Sequence, residues 1–298
     1  MTPDLAASVH RRLLNHARAT GRPFNEVLQY FALERFLYRL ARSPYRQSFI
    51  LKGALMLAAW QAPISRPTRD IDLLGRLDNS PEHIVGVVKE ICRQAAPEDG
   101  LRFADESVAG ESILEAAHYE GVRVCFFCYL GKARVPMQID IGFGDALVPG
   151  PADVCLPALL DLPPAELQGY SRETAIAEKL QVIVALGELN SRMKDFYDIW
   201  LLASQYAFEG RILRRAIQAT FVRRGTPLSP DTAAFADDFP GVQQQAQWRA
   251  FMRRNQLDTP TSLREAVEVI KVFLVPILQA LHTGRRFDRH WSPGGPWS

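Results

Sequence analysis

Two aspartates one residue apart, Asp70 and Asp72, lie in the β-forming run from Arg66 to Gly75. Successive side chains of a strand point to opposite faces, so both carboxylates share one face while Ile71 and Leu73 point into a core. Two close like charges repel unless a cation lies between them, and carboxylate oxygens suit a Mg²⁺ that carries substrate phosphates. The pair predicts a metal site for nucleotide phosphates; the alternative is a strand that enters solvent with two exposed aspartates.

A third carboxylate, Asp140, ends the strand-like run from Val135 to Gly142, and Asp145 follows in the next Gly-rich turn. An aspartate between two isoleucines is costly to bury unpaired, so Asp140 either caps a turn or joins a charged site. As a third acid it would join the first two, and the sequence leaves open whether Asp145 takes that place instead.

Two further charged clusters lie in the second half of the chain. Lys179, in a helix-prone segment, could reach into a cleft and bind a triphosphate, or it could be a surface lysine. Asp195 and Asp198 are three residues apart and hence on one face of a predicted helix. Lys194 and Arg192 supply compensating charge, so an ion-pair network is the alternative interpretation of this cluster.

The composition is that of an ordinary soluble protein. The chain has 298 residues, of which 47% are hydrophobic and 23% charged, so it can bury a sizeable core. A formal charge of +2 gives no global positive field, although arginine doublets at 11–12, 214–215, 223–224, 253–254 and 285–286 could face phosphate or form solvated helix surfaces. No apolar stretch approaches the roughly 20 residues that span a bilayer, and no secretion signal begins the chain, so we expect a cytoplasmic location.

The four cysteines predict neither zinc nor a disulfide. Cys125 and Cys128 are three residues apart in a strand-like run, which places them on opposite faces. A zinc site usually needs a second ligand pair at matching spacing, so reduced thiols are expected.

The order of elements predicts an α+β fold. Helices are predicted at 3–20, 24–43, 54–61, 82–95, 172–187, 193–206, 210–221, 244–254 and 261–282, and strands at 48–51, 70–74, 121–130 and 133–141. Gly131-Lys132 joins the last two strands as a hairpin turn. We expect a helical lead-in at 1–47, a mixed core at 48–165, a helical subdomain at 166–284 and a tail at 285–298 that is loosely ordered unless its tryptophans dock.

Five motifs in a fixed order resemble the AbiEii/AbiGii nucleotidyltransferase toxin family, to which the MenT-like toxins belong. They are Leu51-Lys52-Gly53-Ala54, the run from Arg66 to Leu73, Gln138-Ile139-Asp140-Ile141-Gly142, Ala177-Glu178-Lys179-Leu180, and Lys194-Asp195-Phe196-Tyr197-Asp198. The resemblance extends from about residue 6 to 275. It implies a core similar to the DNA polymerase β nucleotidyltransferases, with a small mixed sheet, N-terminal helices and a C-terminal helical subdomain closing over the nucleotide.

The resemblance also implies roles for individual residues. Asp70, Asp72 and Asp140 would be the metal ligands, with Asp140 activating the attacking hydroxyl, while Lys179 and Asp198 would complete the catalytic set. The wider superfamily has a Gly-Ser turn where this chain has Lys52-Gly53-Ala54, so backbone amides and basic side chains would hold the triphosphate. The expected nucleotide- and phosphate-binding residues are Lys52, Gly53, Arg66, Thr68, Arg69, Lys194 and Asp195.

The activity implied by the resemblance is Mg²⁺-dependent transfer of a nucleoside monophosphate from an NTP to an acceptor hydroxyl. The expected acceptor is the 3′ end of tRNA, whose modification blocks translation, and a cognate antitoxin encoded nearby is the expected partner. Two alternatives stay open, namely a protein or small-molecule hydroxyl as the acceptor, and a non-catalytic module that binds nucleotide.

Overall fold

A mixed seven-stranded sheet organises the first of two units in the computed structural model, which describes residues 5–62, 67–96, 99–115 and 119–298. The first unit comprises Met1–Gly144 and Ala152–Gly169, and the second comprises Asp145–Pro151 and Tyr170–Ser298. The α+β fold predicted from the sequence is confirmed.

The first unit contains four described helices and the seven strands of the sheet. They are α1 (Leu5–Thr20), α2 (Phe24–Arg42), β1 (Phe49–Lys52), α3 (Leu55–Ala59), β2 (Ile71–Gly75), α4 (Pro81–Cys92), β3 (Leu101–Glu115), β4 (Tyr119–Leu130), β5 (Ala133–Phe143), β6 (Ala152–Leu156) and β7 (Ala165–Gly169). The strand order is β3-β4-β5-β2-β1-β7-β6. The pairs β2–β5 and β1–β7 are parallel and the other pairs are antiparallel, so the sheet is mixed.

The core of the first unit lies between α2 and one face of the sheet. Phe36 of α2 is fully buried, and its ring lies 5.9 Å from the ring of Phe103 on β3 and 5.4 Å from that of Phe126 on β4. On β2, Ile71 and Leu73 are 0% and 2% exposed and belong to the same core. Their burial is what period-two alternation predicts for this strand, and it leaves the alternate positions for the acids.

The second unit is mainly helical. Its elements are α5 (Arg172–Leu186), α6 (Met193–Gln205), β8 (Phe208–Glu209), α7 (Gly210–Arg223), α8 (Val242–Arg254), α9 (Leu263–His282) and β9 (His290–Trp291). Serine side chains cap two of these helices, because Ser171 accepts a hydrogen bond from the Thr174 amide and Ser262 accepts one from the Glu265 amide.

The tail docks on the second unit through its tryptophans. Trp291 donates through Nε1 to the carbonyl of Ala203 at 2.7 Å, and Trp297 donates to the carbonyl of Phe273 at 2.8 Å. Both indole rings also contact the Phe273 ring, with centroids 4.7 and 5.6 Å apart. Docking of the tryptophans is the condition under which the sequence predicts an ordered tail.

Cys125 is exposed and Cys128 buried, so the two thiols lie on opposite faces of β4 as predicted, and all four cysteines are free thiols. Among the described residues, no helix is both long and apolar enough to cross a membrane.

Candidate metal and nucleotide site

Three aspartates meet on one face of the sheet in the first unit. Asp70 directly precedes β2, Asp72 lies within it, and Asp140 lies opposite Asp72 because β2 and β5 pair in parallel. One carboxylate oxygen from each lies within 4.8 Å of the others. Asp140 is 9% exposed, and Asp70 and Asp72 are half-buried. The structure thus brings together the three acids that the sequence assigns to a metal.

Two of these carboxylates are held by hydrogen bonds from neighbouring side chains. Thr68 donates from its hydroxyl to Oδ1 of Asp70 at 2.6 Å. Arg123 on β4 donates through Nε and Nη2 to the two oxygens of Asp140, both at 2.8 Å, and Gln138 donates to the same carboxylate at 3.1 and 3.2 Å. The hydrogen bonds that Arg123 itself donates to Asp140 raise the pKa of Arg123 above its ordinary value. Asp140 is therefore fixed in orientation beside a permanent positive charge.

Two acids and two cations form a row across four strands at this level of the sheet. The strand registers place Arg123 opposite Asp140, Asp140 opposite Asp72, and Asp72 opposite Lys52 of β1. Directly opposed residues share a face, so the two acids are flanked by one cation on each side. Lys52 is only 7% exposed. The flanking cations offset the repulsion between the acids.

Gly53 brings the backbone after β1 against the Asp72 carboxylate. Its φ is +72°, and a Cβ at this position would overlap Oδ2 of Asp72. Glycine adopts this left-handed conformation without steric cost, and it also leaves room for the acid. The Lys52-Gly53 motif therefore belongs to the acid site by position.

Two arginines, Arg66 and Arg69, are also predicted to lie near the acids. Arg69 is exposed, and its carbonyl accepts a hydrogen bond from Nε2 of Gln29 at 3.3 Å. Gln29 also donates to the carbonyl of Pro136 at 3.0 Å, so α2 anchors both β5 and the segment that leads into β2. Arg66 lies outside the described residues.

A second charged cluster lies within the second unit. Nζ of Lys179 on α5 lies 3.0 Å from Asp195 and 2.7 Å from Asp198 on α6, and Arg192 lies 2.7 Å from Asp195. Burial acts to raise the pKa of Asp195, but the charges of Lys179 and Arg192 outweigh it and hold that pKa below the ordinary value. Lys194, in the first turn of α6, is half-buried. The lysine and the two aspartates therefore form an ion-pair network that joins two helices.

Asp145 belongs to another network of the second unit. The Tyr170 hydroxyl lies 2.8 Å from Oδ2 of Asp145 and 3.0 Å from Oε1 of Glu178, and Nη2 of Arg224 donates to Oδ1 of Asp145 at 3.2 Å. Burial and the two nearby carboxylates raise the pKa of Tyr170 well above its ordinary value. Of the two acids between which the sequence does not decide, Asp140 is the one grouped with Asp70 and Asp72.

Sequence reasoning missed Arg123, although a signal for it is present. The hairpin turn at Gly131-Lys132 pairs Leu130 with Ala133, and counting outward from that pair places Arg123 opposite Asp140. The position of Lys52 opposite Asp72 has no such signal, because β1 and β2 are joined by a long connection through α3.

Comparison with known proteins gives one family and two solved structures. The model of the family described as "Nucleotidyl transferase AbiEii toxin, Type IV TA system" matches residues 35–269. A crystal structure of a candidate nucleotidyltransferase from H. pylori is 15% identical, with 92% of this chain and 98% of that chain covered and a TM-score of 0.46. The structure of JHP933 from Helicobacter pylori is 16% identical, with 91% and 94% covered and a TM-score of 0.43. No curated protein matches the chain.

Proposed function

We propose that this chain, which belongs to the AbiEii nucleotidyl transferase toxin family, uses Mg²⁺ to transfer a nucleoside monophosphate from an NTP to tRNA. The family match over residues 35–269 makes the chain a nucleotidyltransferase of a toxin–antitoxin system. The metal, the nucleotide-binding residues and the tRNA 3′ hydroxyl as acceptor are the proposal. Blocked translation would follow from a modified tRNA end.

The grouping of Asp70, Asp72 and Asp140 is the observation that carries the proposal. Oxygen ligands on opposite sides of one Mg²⁺ are about 4 Å apart, and the three carboxylates offer oxygens within 4.8 Å of one another. Small side-chain rotations would therefore let all three bind one ion. The donor set also fits the metal, because Mg²⁺ prefers carboxylate oxygens and keeps positions open for substrate phosphates. When bound, the ion would neutralise the triphosphate and stabilise charge on the α-phosphate.

The chain's own residues would position the reactants and accept a proton. The acceptor oxygen forms a bond to the α-phosphorus, the bond to the β-phosphate oxygen breaks, and pyrophosphate leaves in line. Asp140 is the proposed proton acceptor for the attacking hydroxyl. Its bidentate hydrogen bond with Arg123 would keep its carboxylate oriented. Thr68 would hold the Asp70 carboxylate by the hydrogen bond described above.

Basic groups would bind the triphosphate. Lys52 at the end of the charged row, the backbone at Gly53, and the side chains of Arg66 and Arg69 are the proposed contacts in the first unit. Lys179, Lys194, Asp195 and Asp198 keep the roles that the family resemblance implies. Lys179 contacts two aspartates, and its side chain is 16% exposed. To bind a phosphate it would have to give up one of these aspartate contacts.

A cognate antitoxin is the partner that the family's type IV toxin–antitoxin description implies. We propose that the antitoxin gene lies beside the gene of this chain and that both proteins are cytoplasmic. Two other acceptors, a protein hydroxyl and a small-molecule hydroxyl, would use the same acids and the same nucleotide site.

The test is transfer of label to RNA. Purified protein is incubated with Mg²⁺, total tRNA and each α-labelled NTP in turn, and the products are resolved on a denaturing gel. We expect label on tRNA with the unmodified protein and a loss of at least about 100-fold with Asp72→Ala, since a metal ligand is removed. Asp153→Ala, an exposed acid on β6, is the matched control and should retain activity. Label on protein or on a small molecule, with none on tRNA, would show that the acceptor is that molecule and not tRNA.

A further inference from the structure

Three neighbouring strands of the first unit, β3, β4 and β5, turn one face toward α2 and leave the other exposed. Phe103 and Phe126 point toward α2, and the residues that alternate with such core positions point the other way. The part of this exposed side that surrounds Tyr129 is called the open face below, and it consists of Arg102, Phe127, Tyr129, Arg134 and Pro136. The strand registers place Arg102 and Arg134 on either side of Tyr129, and Pro136 beside Phe127.

Each ring of the open face lies under an arginine. The guanidinium carbon of Arg102 lies 4.5 Å from the Tyr129 ring centroid, and that of Arg134 lies 4.7 Å from the Phe127 ring centroid. Arg102 forms a salt bridge with Glu106, with 3.0 Å between Nη1 and Oε1. Arg134 has no carboxylate partner among the residues that the structure describes, and exposed Lys132 in the adjacent turn adds a further positive charge. The open face is therefore aromatic and locally cationic.

That combination suits a polynucleotide with unpaired bases. Bases stack on aromatic rings and on guanidinium planes, while phosphates bind arginine and lysine. A duplex keeps its base faces stacked inside the helix and could not use half-buried rings on a sheet. Lysine is depleted in protein interfaces, whereas uncompensated lysine and arginine charges attract the phosphates of a nucleic acid, so Lys132 and Arg134 together favour a polynucleotide over a protein partner.

Strand β5 connects the open face with the acids. Arg134, Pro136, Gln138 and Asp140 are alternate residues of β5 and so share one face. Asp140 lies six positions after Arg134 in β5, a distance of about 20 Å along a strand. Gln138 lies between the two ends and donates to the Asp140 carboxylate. A strand of several nucleotides that lies on this face would bring its end to the acid cluster.

We propose that the open face binds the single-stranded end of the acceptor polynucleotide and directs its terminal hydroxyl along β5 to Asp140. Bases would stack on Tyr129, Phe127 and their covering guanidiniums, and Lys132 and Arg134 would bind phosphate. The inference rests on the proposed function in taking RNA as the acceptor, and it adds the surface that holds this RNA and the direction in which the RNA lies.

The test measures RNA binding without catalysis. Fluorescence anisotropy of a labelled single-stranded 12-nucleotide RNA is recorded with the full chain in the absence of NTP. Arg134→Gln and the double variant Phe127→Leu, Tyr129→Leu should each weaken binding about tenfold, the effect of losing stacking with one base or more. Arg18→Gln, which removes an exposed arginine of α1, is the matched control and should bind as the unmodified chain does. Thermal unfolding confirms that each variant is folded.

The outcomes separate this inference from the proposed function. Unchanged RNA affinity in folded Arg134→Gln protein would overturn the inference and leave the open face to a protein partner. Equal affinity for the single strand and for a blunt duplex of the same sequence would also contradict it. If the open-face variants lose RNA binding while the unmodified chain labels no RNA, the open face is an RNA-binding surface, but the proposed acceptor and the path of its terminal hydroxyl to Asp140 both fail. If labelling proceeds with the same KM for RNA in every variant, the inference fails and the proposed function stands.

Discussion

Gly53 makes the strictest steric demand at the acid site. A methyl group there would meet both a left-handed backbone, at φ +72°, and the Asp72 carboxylate. We therefore expect Gly53→Ala to displace Asp72, to cost about 1–3 kcal/mol of folding free energy, and to lower nucleotide transfer by at least about tenfold. Urea unfolding and the transfer assay measure the two effects on the same protein.

Gly86 provides the matched control for this prediction. It lies within α4, and nothing lies within 4 Å of a Cβ built on it. Gly86→Ala should therefore stabilise the chain by about 0.5–1 kcal/mol and leave transfer unchanged, because alanine is the better helix former. Full activity in Gly53→Ala would show that the acids tolerate displacement, and the proposed metal geometry would then be wrong.

At residue level, the sequence indicates the acids but not what holds them. Asp70 and Asp72 are visible because their spacing matches the period of a strand. The Arg123 contact depends on register, which the hairpin turn at Gly131-Lys132 fixes and which could have been counted from the sequence. Placing Lys52 beside Asp72 requires knowing that β1 pairs with β2, and no local pattern carries that information.

Among the elements, α2 contains a buried carboxyl that should make stability depend on pH. Glu34 is 2% exposed; Oε2 accepts a hydrogen bond from the Leu159 amide at 2.9 Å, and Oε1 has no hydrogen-bond partner among the described residues. Burial raises the pKa of Glu34 from 4.5 to about 8. Between these values the folded chain keeps a proton that the unfolded chain releases. The stabilising contribution is complete below pH 4.5 and is lost as pH rises through 8.

Replacement by the uncharged amide tests this pH dependence. Glu34→Gln keeps an oxygen for the Leu159 amide but cannot ionise. Relative to the unmodified chain, its free energy of unfolding should rise by about 1 kcal/mol per pH unit between pH 5 and 8 and then level off. Urea unfolding at several pH values measures the difference. Exposed Glu82→Gln is the control, and a flat Glu34→Gln difference over this range would show that Glu34 is already ionised in the fold.

Strands β3, β6 and β7 are not predicted from the sequence, and each has its own physical reason. Strand β3 lacks regular alternation because its pairing with β4 shifts between Ala104 and Ala109, where Ser107 bonds the Ala104 carbonyl and the Phe127 amide. β6 is an edge strand, and β7 pairs with β1 over only two residue pairs. Long helices such as α2 and α9 are predicted correctly, since their apolar periodicity extends over many turns.

At the scale of the whole molecule, net charge says little about where charge acts. The chain carries only +2 in total, and 23% of its residues are charged. The structure nevertheless separates the acid cluster from the arginines of the open face along β5 within one unit. An overall balance near zero is therefore compatible with a local cationic surface, which composition alone cannot locate.

The division into two units also predicts how the molecule should lose structure. Trp291 is fully buried in the second unit, donates to the Ala203 carbonyl and contacts the rings of Phe273 and Trp297. Trp291→Ala removes a large buried ring and leaves that carbonyl without its indole donor. We expect a loss of about 3–5 kcal/mol in the second unit, whereas Val272→Ala, at a 52% exposed position of the same unit, should change stability by less than about 1 kcal/mol.

Hydrogen exchange resolves where this loss occurs. The first unit has its own hydrophobic core, built from residues such as Phe36, Ile71 and Ile139, so its most protected amides should not depend on Trp291. In Trp291→Ala, amides of α6 and α9 should exchange faster by a factor of about 100 or more, since 1.4 kcal/mol corresponds to tenfold. Amides of β2 and β5 should keep their protection. An equal loss in both units would instead show that the chain unfolds as one cooperative body.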